Sequence, residues 1–150
     1  MNSQPFIREY NPNDQKNLIQ LLRLNTPEYF AVDEEIDFIH YLDNEIDFYY
    51  VIELDDKIVG CGGINFKDET TGVISWGIIH PEFQRKSLGS LLLKHRVREL
   101  QKFENIETIK VRTSQLVYQF YAKNGFVLVN IIDNYWAEGF HLYEMNYEII

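Results

Sequence analysis

The stretch Gln84-Arg85-Lys86-Ser87-Leu88-Gly89-Ser90 constrains this chain most, because it joins an apolar run to a leucine-rich one through a short loop of small and basic residues. Upstream, Ile74-Ser75-Trp76-Gly77-Ile78-Ile79 reads as a strand that Pro81 stops. Downstream, from Ser87 to about Phe103, the residues Leu88, Leu92, Leu93, Val97, Leu100 and Phe103 recur on one helical face, with Ser90, Lys94 and Arg98 opposite. A tight strand-to-helix turn aims several backbone N–H groups one way, at the positive end of a helix dipole. Such a turn suits an anion, most often a pyrophosphate. Gly89 falls on the apolar side, where its missing side chain predicts a close approach of the helix to the sheet.

The chain has 150 residues, 45% of them hydrophobic and 15% aromatic, which predicts one globular domain over 1–150. No apolar run approaches the ~20 residues that span a bilayer. Met1-Asn2-Ser3-Gln4-Pro5 lacks the charged-then-apolar pattern of a secretory signal. The expected setting is the cytoplasm, away from membranes. The single cysteine, Cys61, excludes an internal disulfide and a cysteine-based zinc site, and no metal is expected. With no partner histidine in view, Cys61 reads as a small core residue. A net charge of −9 argues against binding nucleic acid. The same charge attracts a cationic acceptor such as an amine, or serves solubility alone.

Along the chain, Phe6 to Tyr10 alternates as a first strand, and Asn11-Pro12-Asn13-Asp14 is a turn able to cap a helix. Leu18, Leu21 and Leu22 mark that helix. Val32, Ile36 and Ile39 mark a second, with Asp33, Glu34 and Glu35 in its first turn. Phe48 to Leu54 and Lys57 to Phe66 form a hairpin turning at Asp55-Asp56. After the strand ending at Ile79 and the long helix, Glu107 to Arg112 is a strand. Leu116 to Asn124 is a short helix closed by Gly125, and Phe126 to Ile132 and His141 to Ile150 are the last strands. The order is βααβββαβαββ.

The segment Gln84-x-x-Ser87-x-Gly89 resembles the acetyl-CoA loop of the GNAT-type N-acetyltransferases, which reads Gln or Arg, two residues, Gly, one residue, then Gly or Ala. Ser87 stands where the family carries its first glycine, and serine tolerates left-handed backbone angles less well. A second segment, Phe120-Tyr121-Ala122-Lys123-Asn124-Gly125-Phe126, resembles the second motif of that family. The two matches stand in the family's order and separation. The resemblance implies the GNAT fold, an α/β (α+β) arrangement of six to seven mostly antiparallel strands flanked by about four helices. It also implies acetyl-CoA as cofactor and direct acetyl transfer to an amine of a small molecule or protein.

Carried over residue by residue, the resemblance implies that the backbone of Ile78 and Ile79 pairs with the pantetheine arm. The Ile79 amide then donates to the thioester carbonyl. Gln84, Arg85, Lys86, Ser87, Leu88, Gly89 and Ser90 wrap the pyrophosphate. Tyr121 points at the cofactor sulfur as general acid; a free phenol, with a pKa near ~10, is protonated at neutral pH. Ser114 stands where the family often has an asparagine bonding the pantetheine amide. Phe120 packs on the pantetheine arm or the core, Tyr118 narrows the channel or stacks on cofactor, and Lys123 is open to phosphate contact or plain solvation.

No general base is legible. Val73 occupies the position where many members carry a glutamate. Glu53, His80, Glu82 and His141 are candidates, each more readily a surface or loop residue. Tyr29 and Phe30 are expected on one acceptor wall, and the aromatic, acidic tail 133–141 on another. That tail either cages an ammonium with Asp133 or Glu138 or forms the surface of a homodimer. Two rival functions remain at this point, a longer acyl donor and a catalytically silent CoA-binding sensor. The substitution at Ser87 and the missing glutamate admit the second.

Overall fold

Seven strands form one sheet in the order β1-β2-β3-β4-β5-β7-β6. The computed structural model describes residues 4–84 and 87–148. The strands are β1 (Phe6–Glu9), β2 (Phe48–Leu54), β3 (Lys57–Phe66), β4 (Thr71–Ile79), β5 (Thr108–Thr113), β6 (Phe126–Ala137) and β7 (Phe140–Tyr147); the helices are α1 (Gln15–Leu24), α2 (Glu34–Asn44), α3 (Leu88–Gln101) and α4 (Tyr118–Lys123). The element order is the one the sequence predicts. Every neighbouring pair is antiparallel except β4 and β5, whose connection crosses over through α3. The turn between β2 and β3 puts Asp55 and Asp56 at φ 53° and 63°, the left-handed pair that a two-residue hairpin needs.

Two cores sandwich the sheet. On one face α3 and α4 bury Leu88, Leu92, Leu93, Val97, Leu100 and Tyr121 against Tyr50, Ile52, Ile74, Ile109 and Met145. On the other, α1 and α2 bury Leu18, Leu21, Leu22, Phe38 and Tyr41 against Tyr49, Val51, Cys61 and Ile78. Helix α2 turns a different face inward from the one expected. Val32 and Ile36 are 71% and 73% exposed, while Phe38, Tyr41 and Leu42 are buried. The larger aromatic stripe removes more apolar surface from water than two aliphatic side chains do, and so sets the rotation of the helix. Phe103 also lies outside α3 and is exposed, against Phe48 and Phe66. Strand β6 runs further than expected, to Ala137, and is an edge strand exposed along most of its length.

The first connection is held by one guanidinium. Arg8 of β1 donates to Glu53 of β2 at 2.6 Å and, through both terminal nitrogens, to Asp14 at 2.9 and 3.0 Å. Asp14 also accepts from the Asn11 N–H at 2.8 Å, while Asn11 caps the single 3-10 turn leading into α1. The Arg8 hydrogen bond holds the Asp14 carboxyl below the ordinary carboxylate range, against the opposing effect of burial. A depressed folded-state pKa stabilises above the unfolded-state value, near ~3.9, and that stabilisation is lost as pH falls through the lower folded value. Asp14→Asn is therefore expected to cost about 1 kcal/mol at pH 7. Urea unfolding should show the gap between wild type and variant shrinking by about pH 3. An equal gap at both pH values would contradict the ion-pair account.

Candidate active site

The sheet opens at its centre. β4 and β5 pair in parallel only from Thr71↔Thr108 to Ile74↔Val111. Beyond Ile74, β4 carries a bulge, in which Trp76 and Gly77 stand against Gly62 alone, and Trp76 has φ 43°. Such an angle costs a bulky residue of order 1–3 kcal/mol and persists only where packing fixes it. Here the Trp76 carbonyl accepts from the Tyr49 hydroxyl at 2.7 Å, and the indole stacks on Phe30 and packs on Phe38. The strands then diverge, leaving a cleft of about 1180 Å³ that reaches both faces of the sheet.

The far end of β4 is fixed by side chains. Asn25 and Gln84 both donate to the Ile79 carbonyl, at 3.2 and 3.3 Å, and Gln84 donates to Asn25 at 2.9 Å. His80 N–H pairs with Val59 of β3 at 2.8 Å. Because strand amides alternate, the Ile79 N–H faces the opposite way, into the opening. Ile78 is buried in the α1–α2 core, and Ile79 packs on the α3 side.

Helix α3 begins beside this opening. Ser87 precedes it at φ 64°, ψ 11°, in the left-handed region, and its side chain makes no capping bond. The helix itself leaves its first N–H groups, those of Leu88, Gly89 and Ser90, without intrahelical partners. Leu88 packs its side chain into the core, so only its backbone is available. A Cβ on Gly89 would stand 3.2 Å from the Phe120 ring and 3.8 Å from Ile79, so the glycine admits α4 more than the sheet.

Ile78, Ile79, Gln84, Gly89, Ser114, Phe120 and Tyr121 all line the cleft. Ser87, Leu88 and Ser90 are not among the residues that line it, and Lys123 faces a separate shallow groove with Lys94 and Arg98. Arg85 and Lys86 lie outside the described residues. Tyr121 is 7% exposed and edge-on to Phe120 and Phe126, and its hydroxyl makes no hydrogen bond among the described residues. The Ser114 hydroxyl accepts from the Leu116 N–H at 3.2 Å, shaping the turn before α4. Tyr118 packs on Tyr143 at 4.8 Å, away from the cleft. Of the tail, Trp136 and Phe140 line the cleft, whereas Asp133 and Glu138 do not. Trp136 is fixed by its Nε1 donating to Thr113 at 3.1 Å. Tyr29 and Phe30, from the segment between α1 and α2, also line the cleft.

None of the four candidate bases reaches the cleft. Glu53 is paired with Arg8, His80 accepts from Glu82 N–H, and His141 accepts from Asn134 N–H. The cleft carboxylates are instead Glu34, Glu45, Asp47 and Glu144. Glu34 is buried, accepts from the Ala31 N–H at 2.7 Å, and is raised above the ordinary carboxylate range by that burial. Burial likewise pushes the Cys61 thiol up to about 12, which leaves it unreactive at neutral pH. Among the described residues no cluster of His, Cys, Asp and Glu could hold a metal ion, and no helix is long and apolar enough to cross a membrane.

The family model for the acetyltransferase (GNAT) family matches residues 16–126. The chain belongs to that family. An amino-acid acetyltransferase of Buchnera aphidicola (subspecies Schizaphis graminum) is 29% identical to this GNAT chain over 132 residues, 87% of the chain but 29% of that relative. The chain thus spans less than a third of the length of that curated relative. Among solved structures, an aminoglycoside 6'-N-acetyltransferase complexed with coenzyme A superposes with a TM-score of 0.77 at 19% identity, covering 97% of each chain. N-acetylglutamate synthase from Neisseria gonorrhoeae, complexed with coenzyme A and N-acetyl-glutamate, gives 0.72 at 18% identity over 99% of this chain and 36% of its own. Those structural likenesses establish the GNAT fold.

The left-handed Ser87 makes a direct prediction. Ser87→Gly should raise the unfolding free energy by about 0.5–1 kcal/mol, since glycine occupies that region without a Cβ clash. Ser87→Val should lower it. Thermal melts of both variants check this, and a destabilised Ser87→Gly would contradict the strained conformation.

Proposed function

We propose that this domain transfers the acetyl group of acetyl-CoA to an amine by direct attack within a ternary complex. The observation that carries the reading is that the β4–β5 opening, Gly89 in the first turn of α3 and Tyr121 line one cleft. These residues fit the cofactor. The opening leaves strand backbone of β4 unpaired on one side, as an extended pantetheine arm requires. The α3 terminus offers free N–H groups to phosphates. When bound, acetyl-CoA supplies an acyl group activated as a thioester.

The chain's own residues do the rest. The backbone of Ile78 and Ile79 holds the arm, with the Ile79 N–H as the donor aimed into the gap. The first turn of α3, from Ser87 to Ser90, holds the phosphates, and Gln84 acts by bracing Ile79 with Asn25. Ser114 and Phe120 position the arm from the β5–α4 side. Tyr121 holds a proton on Oη and gives it to the departing sulfur. The acceptor amine must lose a proton to attack. Of the cleft carboxylates, Glu144 is engaged with Lys110, Asp47 accepts from Asn65 and Phe66 N–H, and Glu45 is exposed. Glu34, buried and with its proton affinity raised, is the group best suited to take that proton, directly or through water. Because relatives are named amino-acid acetyltransferases, free amino acids are the first acceptors to try.

Acetyl-CoA consumption followed by thiol release across a panel of amines tests the reading. Turnover is expected with at least one amine. Tyr121→Phe should lower kcat roughly 10²-fold while leaving acetyl-CoA affinity within about threefold. A kcat within a factor of about three would remove Tyr121 from the acid role. Saturable acetyl-CoA binding without turnover would contradict the enzyme reading and favour a CoA-binding sensor.

A further inference from the structure

Arg96 is the largest fully buried side chain among the described residues, at 2% exposure in the middle of α3. Leu92, Leu93, Val97 and Leu100 surround its place on the helix. It fits because two neighbouring strands lack side chains there. A Cβ on Gly62 would come within 2.8 Å of the guanidinium, and one on Gly77 within 3.0 Å. Its hydrogen bonds are long ones, from Nη1 to the Gly63 carbonyl at 3.5 Å and the Ser75 carbonyl at 3.3 Å. Nε has no partner. No carboxylate pairs with Arg96 among the described residues. A buried cation left this way is costly unless an anion answers it.

The guanidinium lines the cleft directly beneath the β4 bulge. Two other cations line the β5 side. Lys110 is neutralised by Glu144 at 3.1 Å. Arg112 lies over the Tyr135 and Trp136 rings, at 4.9 and 5.6 Å, and has no carboxylate partner among the described residues. The cleft therefore holds two arginines with no carboxylate partner among the described residues, one of them buried.

We propose that Arg96 anchors a carboxylate of the acceptor, so that the acceptor is a small amino-acid-type molecule with amine and carboxylate a few bonds apart. The inference rests on the acetyl-transfer reading above. Along α3 the terminus that would hold the phosphates stands further from Arg96 than the reacting centre does along β4. Arg96 lies eight residues along α3 from Leu88, a rise of about 12 Å from the helix terminus. By contrast Gly77, against which the guanidinium rests, is two residues of strand from Ile79, roughly 7 Å. A charge-assisted hydrogen bond takes up about 2.8 Å of that span. The remainder suits the short reach between the carboxylate and amine of an amino acid, and not the length of a polyamine. The net charge of −9 does little to hold off such a zwitterionic acceptor, and exposed charges are screened beyond about 8 Å at physiological ionic strength. Inside the cleft the local guanidinium dominates.

The test compares free amino acids with their carboxamides and with the corresponding decarboxylated amines, using wild-type protein and thiol release. Calorimetry with acetyl-CoA runs alongside. Free acids should be acetylated with KM at least 10-fold below that of the amides. In Arg96→Met and Arg96→Lys, KM for the free acid should rise 10- to 100-fold, the preference for acid over amide should collapse in the methionine variant, and acetyl-CoA affinity should hold. Equal use of acids and amides by wild type would overturn the inference while leaving acetyl transfer standing. So would an Arg96 effect confined to kcat and equal for both acceptor types, which belongs to charge stabilisation during the reaction. Failure of wild type to bind acetyl-CoA would overturn the underlying reading instead. The acid–amide comparison needs no variant, so it decides the matter even where Arg96 substitutions fail to fold.

Discussion

The parting of β4 from β5 is the constraint on which the rest of this structure depends. A parallel pair joined through α3 is the one exception in an otherwise antiparallel sheet, and its pairing lasts only from Thr71 to Ile74 on β4. The bulge at Trp76 and Gly77 bends β4 away before the sheet can close. Backbone groups on that edge are then left without ladder partners, a condition that proteins rarely tolerate unless something else fills the gap. The strain at Trp76 is borne by packing far from it in sequence: the Tyr49 hydroxyl on its carbonyl, and Phe30 and Phe38 on its ring. In our reading the unfilled edge is the cofactor's place, so local strain, core packing and chemistry meet at one residue of one strand.

Charge follows the same logic. The surface is acidic, but the interior of the cleft mixes signs, with Glu34 and Arg96 both buried. Glu34 keeps a backbone donor from Ala31, whereas Arg96 has only long bonds to carbonyls and a free Nε. A helix seam of this kind would pack more stably with an aliphatic residue. A carboxylate of the acceptor would offset that cost, which is the use the acceptor reading gives the charge.

Much of this was legible in the sequence. Alternation and 3.6-residue spacing located the strands and helices in their order, and the residues of the two short motifs that line the cleft include Gln84, Gly89, Phe120 and Tyr121. What escaped were features set by distant segments. Val32 and Ile36 look like a helical stripe, yet Phe38 and Tyr41 win the interior because Tyr49 and Trp76 meet them there. Gln84 fits a phosphate loop by motif, but its side chain turns to Asn25, 59 positions earlier. Lys123 and Tyr118 fall in the right segment and face elsewhere. Arg96 looks like an ordinary helix charge. Its burial follows from Gly62 and Gly77, glycines on two other strands whose recess no local pattern discloses.

The most direct test of the central claim is amide hydrogen exchange with and without coenzyme A, read residue by residue. The account predicts slowed exchange at Gly77 and Ile79 on the open edge of β4 and at Leu88, Gly89 and Ser90 in the first turn of α3, with β1, β2 and the outer strand β6 unchanged. Protection absent from the β4 edge, or centred away from the β4–β5 opening, would contradict it.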